Sequence, residues 1–226
     1  MKVECPYLSQ FPSLKHAFFK ANAEAQSSPT NVSLEGKSLP LVTLKQIHGS
    51  KVYPVANLLE EEKEGDGLVT ALKGIAIGIR TADCGPVLFY DPQAHVIGAC
   101  HAGWRGAKAG ILQATLKAME DLGATRSHIY ATLGPTIQQT NYEVGPEFPD
   151  LINETYEAYF SPSPKKGHHY FNLPRYICDQ LLRENLAGVH DVQCNTFSGN
   201  YYSRRRFLSE GREKMAFSNL SVIAIL

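Results

Sequence analysis

The stretch from Thr81 to Ile111, TADCGPVLFYDPQAHVIGACHAGWRGAKAGI, contains two apolar runs that indicate the fold. GPVLFYD (85–91) and HVIGAC (95–100) each have the length and composition of a buried strand. The residues that join them, DPQA (91–94), place a proline at the second position of a four-residue turn, which favours a hairpin. Apolar residues then recur at helical spacing from residue 106 to residue 121, and Gly123 suits a helix C-terminal cap. The stretch therefore predicts a hairpin that leads into one helix.

The rest of the chain predicts further strands interleaved with helices. The polar residues 21–40 and 161–169 are typical of loops, whereas residues 41–55 indicate two strand segments joined by a tight turn. Further strands are predicted at 74–81, 128–135, 192–199 and 221–226, and helices with an early proline at 148–160 and 173–186. We expect a single α/β (α+β) domain over residues 1–226, with mixed β-sheets flanked by helices and a variable N-terminal segment at 1–40.

The charge balance and the cysteines limit the classes of partner. The 226 residues include 22 basic and 22 acidic side chains, so no bulk field attracts nucleic acid or an anionic membrane, and any bound anion must be held locally. The N-terminus has no apolar signal region, and no apolar run reaches the roughly 18 residues of a membrane helix. Because the five cysteines are scattered and odd in number, a disulfide framework is not indicated. We expect a cytoplasmic protein that is a monomer or a small homo-oligomer.

His48, Cys84 and His101 are the first candidates for chemistry. Each stands beside a glycine or at the edge of an apolar run, and strand ends of one sheet can converge. Two imidazoles and a thiolate form a partial shell for catalytic zinc, which keeps three protein ligands and makes water a nucleophile near neutral pH. Two other interpretations remain open: inert buried side chains, or a Cys84 nucleophile with His101 as its base. Cys100 should point to the opposite face of its strand and belong to the core.

The segment HAGWRGAKAGI (101–111) is the second candidate. Its glycines allow a close backbone approach, and Arg105 and Lys108 stand in the first helical turns, where the helix dipole does not favour positive charge. A bound anion such as phosphate would explain them, although solvated charges and tight helix packing fit as well. Arg205, within the run Arg204–Arg206, and Arg80 are further candidates for binding substrate or phosphate. Asp83 is a candidate acid/base, although an aspartate at this position also suits a turn cap.

Six motifs in order resemble the bacterial laccase-domain proteins. They are KQIHGSKV, GDGLVT, RTADCGPVLFYDP, GACHAGWRGAKAGI, GPTIQQTNYEVG and YYSRRR followed by EGR, and together they span about residues 41 to 215. Members of that family are variously called multicopper polyphenol oxidase, purine nucleoside phosphorylase or peptidoglycan editing factor. The TADC and HAGWRG segments are the most specific parts of the resemblance.

The resemblance implies a zinc enzyme. His48, Cys84 and His101 fall on the family's three metal ligands, and the implied fold is one shared with toxin-like cysteine hydrolases. The implied activities are phosphorolysis of adenosine, inosine, guanosine and methylthioadenosine, with phosphate as the second substrate, and deamination of adenosine. Asp83 is then the expected proton carrier, and Arg105 the expected phosphate ligand.

Three alternatives to the nucleoside enzyme remain at this point. The first is a zinc amidohydrolase that removes wrongly incorporated serine from UDP-muramoyl cell-wall precursors. The second is a copper-dependent polyphenol oxidase, although one His₂Cys trio supplies too few ligands for a multicopper cluster. The third is a non-catalytic module with structural zinc, which would require a closed fourth coordination position. The chain lacks the family's usual GGVS and NLG segments near the N-terminus and has Gly85 where a larger residue is common, so substrate preference is the property these departures affect.

Overall fold

The computed structural model describes residues 2–21, 30–58, 63–152, 156–212 and 217–226. Its strands, numbered along the chain, are β1 (Lys2–Val3), β2 (Leu14–Phe19), β3 (Asn31–Leu34), β4 (Lys37–Val42), β5 (Val52–Pro54), β6 (Gly67–Thr70), β7 (Ala76–Thr81), β8 (Gly85–Asp91), β9 (Val96–Ala102), β10 (Tyr130–Leu133), β11 (Glu143–Val144), β12 (Phe160–Pro162), β13 (His169–Phe171), β14 (Gly188–Asp191) and β15 (Asn219–Ile225). Its helices are α1 (Pro6–Ser9), α2 (Trp104–Lys108), α3 (Ile111–Asp121), α4 (Phe148–Ile152), α5 (Tyr156–Tyr159), α6 (Leu173–Leu182) and α7 (Arg204–Ser209). No helix among these is long and apolar enough to cross a bilayer.

Two six-stranded sheets pack face to face, and helices cover one of them. The first sheet has the order β1-β2-β15-β7-β4-β3, and the second has the order β14-β10-β8-β9-β6-β5. Each contains both parallel and antiparallel pairs. In the first sheet β4 runs parallel to β7, and in the second β10 runs parallel to β14 and β5 to β6, whereas the remaining neighbours are antiparallel. A small third sheet, β11-β13-β12, lies beside them. The predicted α+β class with mixed sheets is therefore confirmed.

The central hairpin is buried on both faces, which explains its continuous apolar sequence. Along β8, Leu88 and Tyr90 belong to the core between the two six-stranded sheets. Val87 and Phe89 point the other way and pack in the core that includes α3 and α6. Burying one such side chain stabilises the fold by about 1.5–3 kcal/mol. The hairpin prediction is confirmed, since β8 pairs with β9 along the whole length of both strands.

The helix after the hairpin differs from its prediction. A single helix from residue 106 to residue 121 was expected, but the chain forms α2 and α3 with a break between them. Gly110 has a φ of +86° at the break, a left-handed conformation that interrupts a helix and suits glycine. Gly123 has a φ of +98° after α3, as expected for its capping position.

Several local predictions are wrong because tertiary pairing overrides weak local signals. Residues 31–42 form the hairpin of β3 and β4 rather than a loop, while residues 22–29 lie outside the described part of the chain. The strands predicted within 41–55 belong to different sheets and are not joined by a tight turn.

Predictions in the C-terminal half differ in the same way. The strand predicted at 192–199 is absent, and its neighbour 188–191 pairs with β10 instead. By contrast, the helix predicted at 148–160 is helical at 148–152 and 156–159, and residues 153–155 lie outside the described part of the chain. The loop predicted at 161–169 is partly strand.

The topology gathers several strand ends at one edge of the second sheet. Because β9 runs antiparallel to both β6 and β8, its C-terminal end lies beside their N-terminal ends. The N-terminal end of β5 joins the same edge, since β5 is parallel to β6. The residues just before β5, β6 and β8 and at the end of β9 are therefore neighbours in space.

Candidate metal centre

His48, Cys84 and His101 converge at this edge of the second sheet. Their potential ligand atoms lie within 4.8 Å of one another, and the rings of the two histidines meet edge to face at a centroid distance of 4.7 Å. His101 is buried, Cys84 is half-buried and His48 is exposed. The trio is thus built into the sheet on one side and open on the other.

Asp66 holds two of the three residues in place. Its buried carboxylate lies 2.8 Å from Nδ1 of His101 and accepts backbone N–H groups from Ile47 at 3.2 Å, His48 at 2.9 Å and Gly49 at 2.7 Å. An ionised carboxylate has about four acceptor positions, so all are occupied. These bonds lower the pKa of Asp66 although burial raises it. Asp66 was not among the candidates predicted from sequence, because an aspartate between two glycines is also typical of a turn.

The backbone of His48 needs this support. His48 has a φ of +61°, which is uncommon for a residue other than glycine. The strained segment is fixed from both ends, because Gln46 bonds the backbone N–H and carbonyl of Arg80 on β7 at 2.8 and 2.7 Å. Such strain persists only where surrounding contacts determine the conformation, and it is often found at functional sites.

The surroundings of Cys84 favour its thiolate. Burial raises the pKa of this thiol, but hydrogen bonds and charges from His101 and His48 outweigh burial and lower the pKa to about 6. For His101, burial lowers the pKa, and the contacts with Asp66 and Cys84 raise it to about 9. Cys100 is buried on the opposite face of β9, where burial raises its pKa to about 12, so its predicted place in the core is confirmed.

A pocket of about 250 Å³ opens above the trio. Trp104 and Tyr142 form aromatic walls, and Arg105 stacks on the Trp104 ring at 4.5 Å. Arg205 lies 5.4 Å from the Tyr142 ring and donates to the carbonyl of Glu143 at 2.8 Å. Burial raises the pKa of the Tyr142 phenol, which keeps it protonated at neutral pH. The pocket thus combines aromatic surfaces with positive charge above a thiolate and two imidazoles.

Asp83 lines the pocket and anchors α7. Its two carboxylate oxygens accept from Thr196 Oγ1 at 2.6 Å and from the backbone N–H of Arg205 at 2.7 Å. Asp83 has a φ of +89°, so its position depends on these contacts. Through them it fixes the helix that carries Arg204 and Arg205 over the pocket.

The other arginine candidates have different surroundings. The guanidinium of Arg206 donates to the carbonyls of Phe197, Gly199 and Tyr201 at 2.8–2.9 Å. These bonds hold the loop at 197–201 in place. Arg80 is not part of the pocket lining within the described residues. Its backbone positions Gln46, two residues before His48. Of the arginines predicted from sequence, Arg105 and Arg205 are the ones brought to the pocket.

The donor set fits a metal ion. Because Nδ1 of His101 is bonded to Asp66, Nε2 is left for coordination, which is the common carboxylate–histidine–metal arrangement. His₂Cys is a ligand set for zinc with an open fourth position, and it also suits a single copper ion. Within the described ranges this is the one group of three or more His, Cys, Asp or Glu side chains close enough to share an ion.

Comparison with known proteins identifies the family. The profile described as multi-copper polyphenol oxidoreductase laccase matches residues 20–218. The chain belongs to this family of laccase-like proteins.

Several curated relatives have enzyme names. A Deinococcus radiodurans protein named purine nucleoside phosphorylase is 47% identical over 174 residues, which is 72% of this chain and 63% of the relative. An Aquifex aeolicus protein of the same name is 34% identical over 177 residues, 76% of this chain and 79% of the relative. A protein named adenosine deaminase RL5, from an unknown prokaryotic organism, is 39% identical over 142 residues, 59% of this chain and 49% of the relative.

Solved structures share the fold over nearly the whole chain. The Neisseria meningitidis protein NMB0706 superposes with a TM-score of 0.77 at 25% identity, covering 100% of this chain and 98% of that one. YlmD from Geobacillus stearothermophilus has a TM-score of 0.76 at 22% identity, covering 98% and 94%.

Replacing Asp66 should weaken metal binding. In Asp66→Asn an NH₂ group replaces one of the two oxygens. It cannot accept the N–H groups that donate to that oxygen in the original protein, so the support of both histidines is weakened. We expect zinc affinity, measured by competition with a chelator, to fall about 10- to 100-fold. Asp121→Asn is the control, since Asp121 is an exposed residue that pairs with Lys117 within α3. Equal affinity of Asp66→Asn and Asp121→Asn would contradict the role of Asp66.

Adding one methyl group at Gly103 should displace the thiol. A Cβ at Gly103 would lie 2.9 Å from Cys84 Sγ, although the backbone there (φ −70°, ψ 165°) accepts alanine without strain. Gly103→Ala should therefore reduce zinc affinity about tenfold or more while the circular dichroism spectrum stays unchanged. Gly49→Ala is the matched control, because its Cβ meets Asp66 and Ile47 only at 3.6–3.8 Å. Tight zinc binding by Gly103→Ala would show that this close contact is unimportant.

Alkylation should distinguish Cys84 from the other thiols. After treatment with a chelator, iodoacetamide at pH 7 should label Cys84, because a thiol with a pKa near 6 is mostly thiolate at that pH. Cys178 is the internal control because it is also partly exposed. Its partial burial raises its pKa to about 12, so it should stay a thiol at pH 7. Peptide mass spectrometry before and after adding zinc should show that zinc protects Cys84. Labelling of Cys84 that zinc leaves unchanged would count against coordination.

Proposed function

We propose that this protein is a zinc-dependent purine nucleoside phosphorylase that acts on adenosine, inosine, guanosine and methylthioadenosine and also deaminates adenosine. The observation that carries the proposal is the His48, Cys84 and His101 trio at the base of an aromatic, arginine-lined pocket. The names of the relatives support the same reaction class. Nucleoside and phosphate are the proposed partners, and five free cysteines suit a cytoplasmic location.

The openness of the trio supports a catalytic rather than a structural metal. His48 and Cys84 both line the pocket, so the side of the trio away from the sheet faces space for a ligand. A structural zinc site is closed by a fourth protein ligand, whereas a catalytic one keeps that position open. When bound, zinc supplies a Lewis acid and makes water a nucleophile near neutral pH. One trio holds one ion, which argues against a multicopper oxidase.

The pocket side chains have distinct proposed tasks. A purine is a flat aromatic ring, and Trp104 and Tyr142 offer surfaces on which it can stack. Arg105 and Arg205 place positive charge near the same space and are proposed to hold phosphate for attack on the ribose C1′. The neutral Tyr142 hydroxyl can donate to a polar group of the substrate. Binding in this half-enclosed pocket would also keep bulk water from competing with phosphate.

Asp83 is the proposed proton carrier for deamination. Each of its carboxylate oxygens accepts one hydrogen bond, from Thr196 or from Arg205, so each keeps one further acceptor position. Those positions allow it to take a proton from a substrate group in the pocket and return it to the leaving amine. The two bonds also fix the direction of the carboxylate, which general acid–base catalysis requires.

A thiol hydrolase is a second candidate, because the site contains a second chemical pattern. Asp66 orients His101, and His101 is hydrogen-bonded to Cys84, which is the order of groups in a Cys-His-Asp catalytic triad. In this role Cys84 would attack a carbonyl carbon directly, without a metal. The same residues thus suit a metal-free acyl-transfer reaction on a different class of substrate.

Product analysis tests the proposed reaction. Zinc-loaded protein incubated with adenosine and phosphate should yield adenine and ribose 1-phosphate, together with inosine and hypoxanthine, detected by chromatography. Omitting phosphate should abolish adenine formation and leave deamination. Unchanged adenosine would overturn the proposal and favour an amidohydrolase, to be assayed on a UDP-muramoyl amino acid.

Two variants relate the products to residues. Cys84→Ala should lose zinc and both activities, whereas Cys100→Ala should keep both, since Cys100 points away from the site. Arg105→Ala should raise the KM for phosphate about tenfold or more while deamination continues. A zinc-loaded, fully active Cys84→Ala protein would contradict the assignment of the ligands.

A further inference from the structure

A second cavity lies beside α2, next to the metal pocket but separate from it. Its volume is about 330 Å³, within the range of small-molecule sites. Ala107 and Lys108 of α2 contribute to its wall, whereas Trp104 and Arg105 of the same helix face the metal pocket. Among the described lining residues, the two cavities have none in common.

Two glutamines in the wall have unmet hydrogen-bonding atoms. Within the part of the chain that the structure describes, Oε1 of Gln113 and Nε2 of Gln180 are buried without a hydrogen-bond partner, and Gln180 is only 9% exposed. A buried unpaired amide atom costs about 1–3 kcal/mol, so such groups call for an explanation. Rotation about the last side-chain bond of glutamine is soft and would present either amide to the cavity. Together they offer a donor and an acceptor to a ligand.

The remaining walls combine an apolar floor with positive charge. Ile152 and Tyr176 are buried; Ile152 supplies aliphatic surface and Tyr176 a flat aromatic ring. Lys108 and Arg183 are exposed at the rim, and Lys108 donates to the carbonyl of Leu151. The carboxylate of Glu184 pairs with Arg126, which also pairs with Glu120, and Arg183 donates to the Tyr159 hydroxyl at 3.4 Å. Lys108 and Arg183 thus bring two cationic side chains to the rim, which favours an anionic ligand.

We propose that this cavity is a second ligand site that binds a nucleoside monophosphate. An amide pairs well with the donor–acceptor edge of a nucleobase, as glutamine does with adenine, and Gln113 and Gln180 supply that edge. The base lies against Ile152 and Tyr176, and the phosphate is held by Lys108 and Arg183. The site is independent of the metal trio and of the reaction proposed for it.

Adenosine monophosphate (AMP) is the probe that tests the site. In ¹H–¹⁵N spectra of the zinc-loaded protein, AMP should shift the side-chain amide signals of Gln113 and Gln180. The signal of Gln138 should not move, because Gln138 does not line the cavity, although its Nε2 is also buried and has no partner among the described residues. AMP that leaves the Gln113 and Gln180 signals unchanged would overturn the proposal.

Variants then locate the binding. By calorimetry, Gln180→Leu should weaken AMP binding at least tenfold, and its Tm should not fall, because the change removes an unpaired polar atom. The matched variant Gln138→Leu should bind AMP as the original protein does. AMP binding that survives in Gln180→Leu, or that is lost in Arg105→Ala, would refute the site, the latter by placing AMP in the metal pocket.

Two further probes separate the contributions of base and phosphate. Adenosine, tested in a Cys84→Ala background so that it is not deaminated, should shift the same glutamine signals but bind more weakly than AMP, and Lys108→Ala with Arg183→Ala should remove that difference. Inorganic phosphate alone should leave the glutamine signals in place. If phosphate binds the cavity as tightly as AMP, the nucleobase part of the proposal is wrong. Since none of these measurements uses turnover, their outcome is independent of the nucleoside phosphorylase assay.

Discussion

The carboxylate of Asp66 is the interaction on which the metal centre depends. It is fully buried, and its four hydrogen bonds connect the segment before β5, the start of β6 and the end of β9. Burying an ionised group costs several kcal/mol unless it is well paired. Here the cost is offset because every acceptor position of the carboxylate is filled. The same bonds hold His48 in a left-handed conformation and fix which nitrogen of His101 faces Cys84, so one side chain sets both the position and the protonation of the site.

The hairpin, the fold class and the three candidate ligands could be predicted from sequence, because each leaves a local signal. The runs 85–91 and 95–100 are apolar throughout because both faces of β8 and β9 are buried. The role of Asp66 could not be predicted in this way, since GDG looks like an ordinary turn and its partners lie 17 to 35 residues away. An aspartate between two glycines immediately before a buried strand was the signal available. The β3–β4 hairpin and the missing strand at 192–199 were mispredicted for a related reason, because pairing with distant strands decides them.

The glycines around the site are required for different reasons, some for space and one for its backbone conformation. At Gly103 the need is for space, because a Cβ would meet Cys84 Sγ, and at Gly106 a Cβ would lie 3.0 Å from the carbonyl of Gly49. At Gly110 the need is for a left-handed backbone between the end of α2 and the start of α3. The sequence HAGWRGAKAG therefore encodes a short helix, α2, that packs against the loop containing His48 and Gly49, followed by a break at Gly110. Gly110, at this break, also lines the second cavity.

The metal and triad interpretations of the site exclude each other, because both use the same atom. With Nδ1 of His101 committed to Asp66, only Nε2 can interact with Cys84 or with an ion. If Nε2 binds a metal it cannot accept the proton of Cys84, and the thiolate becomes a ligand rather than a nucleophile. If Nε2 serves as a base, the metal has lost one of its three ligands. His48 distinguishes the two interpretations. A Cys-His-Asp triad does not require a second imidazole, whereas a three-ligand metal site does. The strained backbone of His48, held by three consecutive N–H groups on one carboxylate, is typical of a functional residue and therefore favours the proposed metal interpretation, in which His48 has a role.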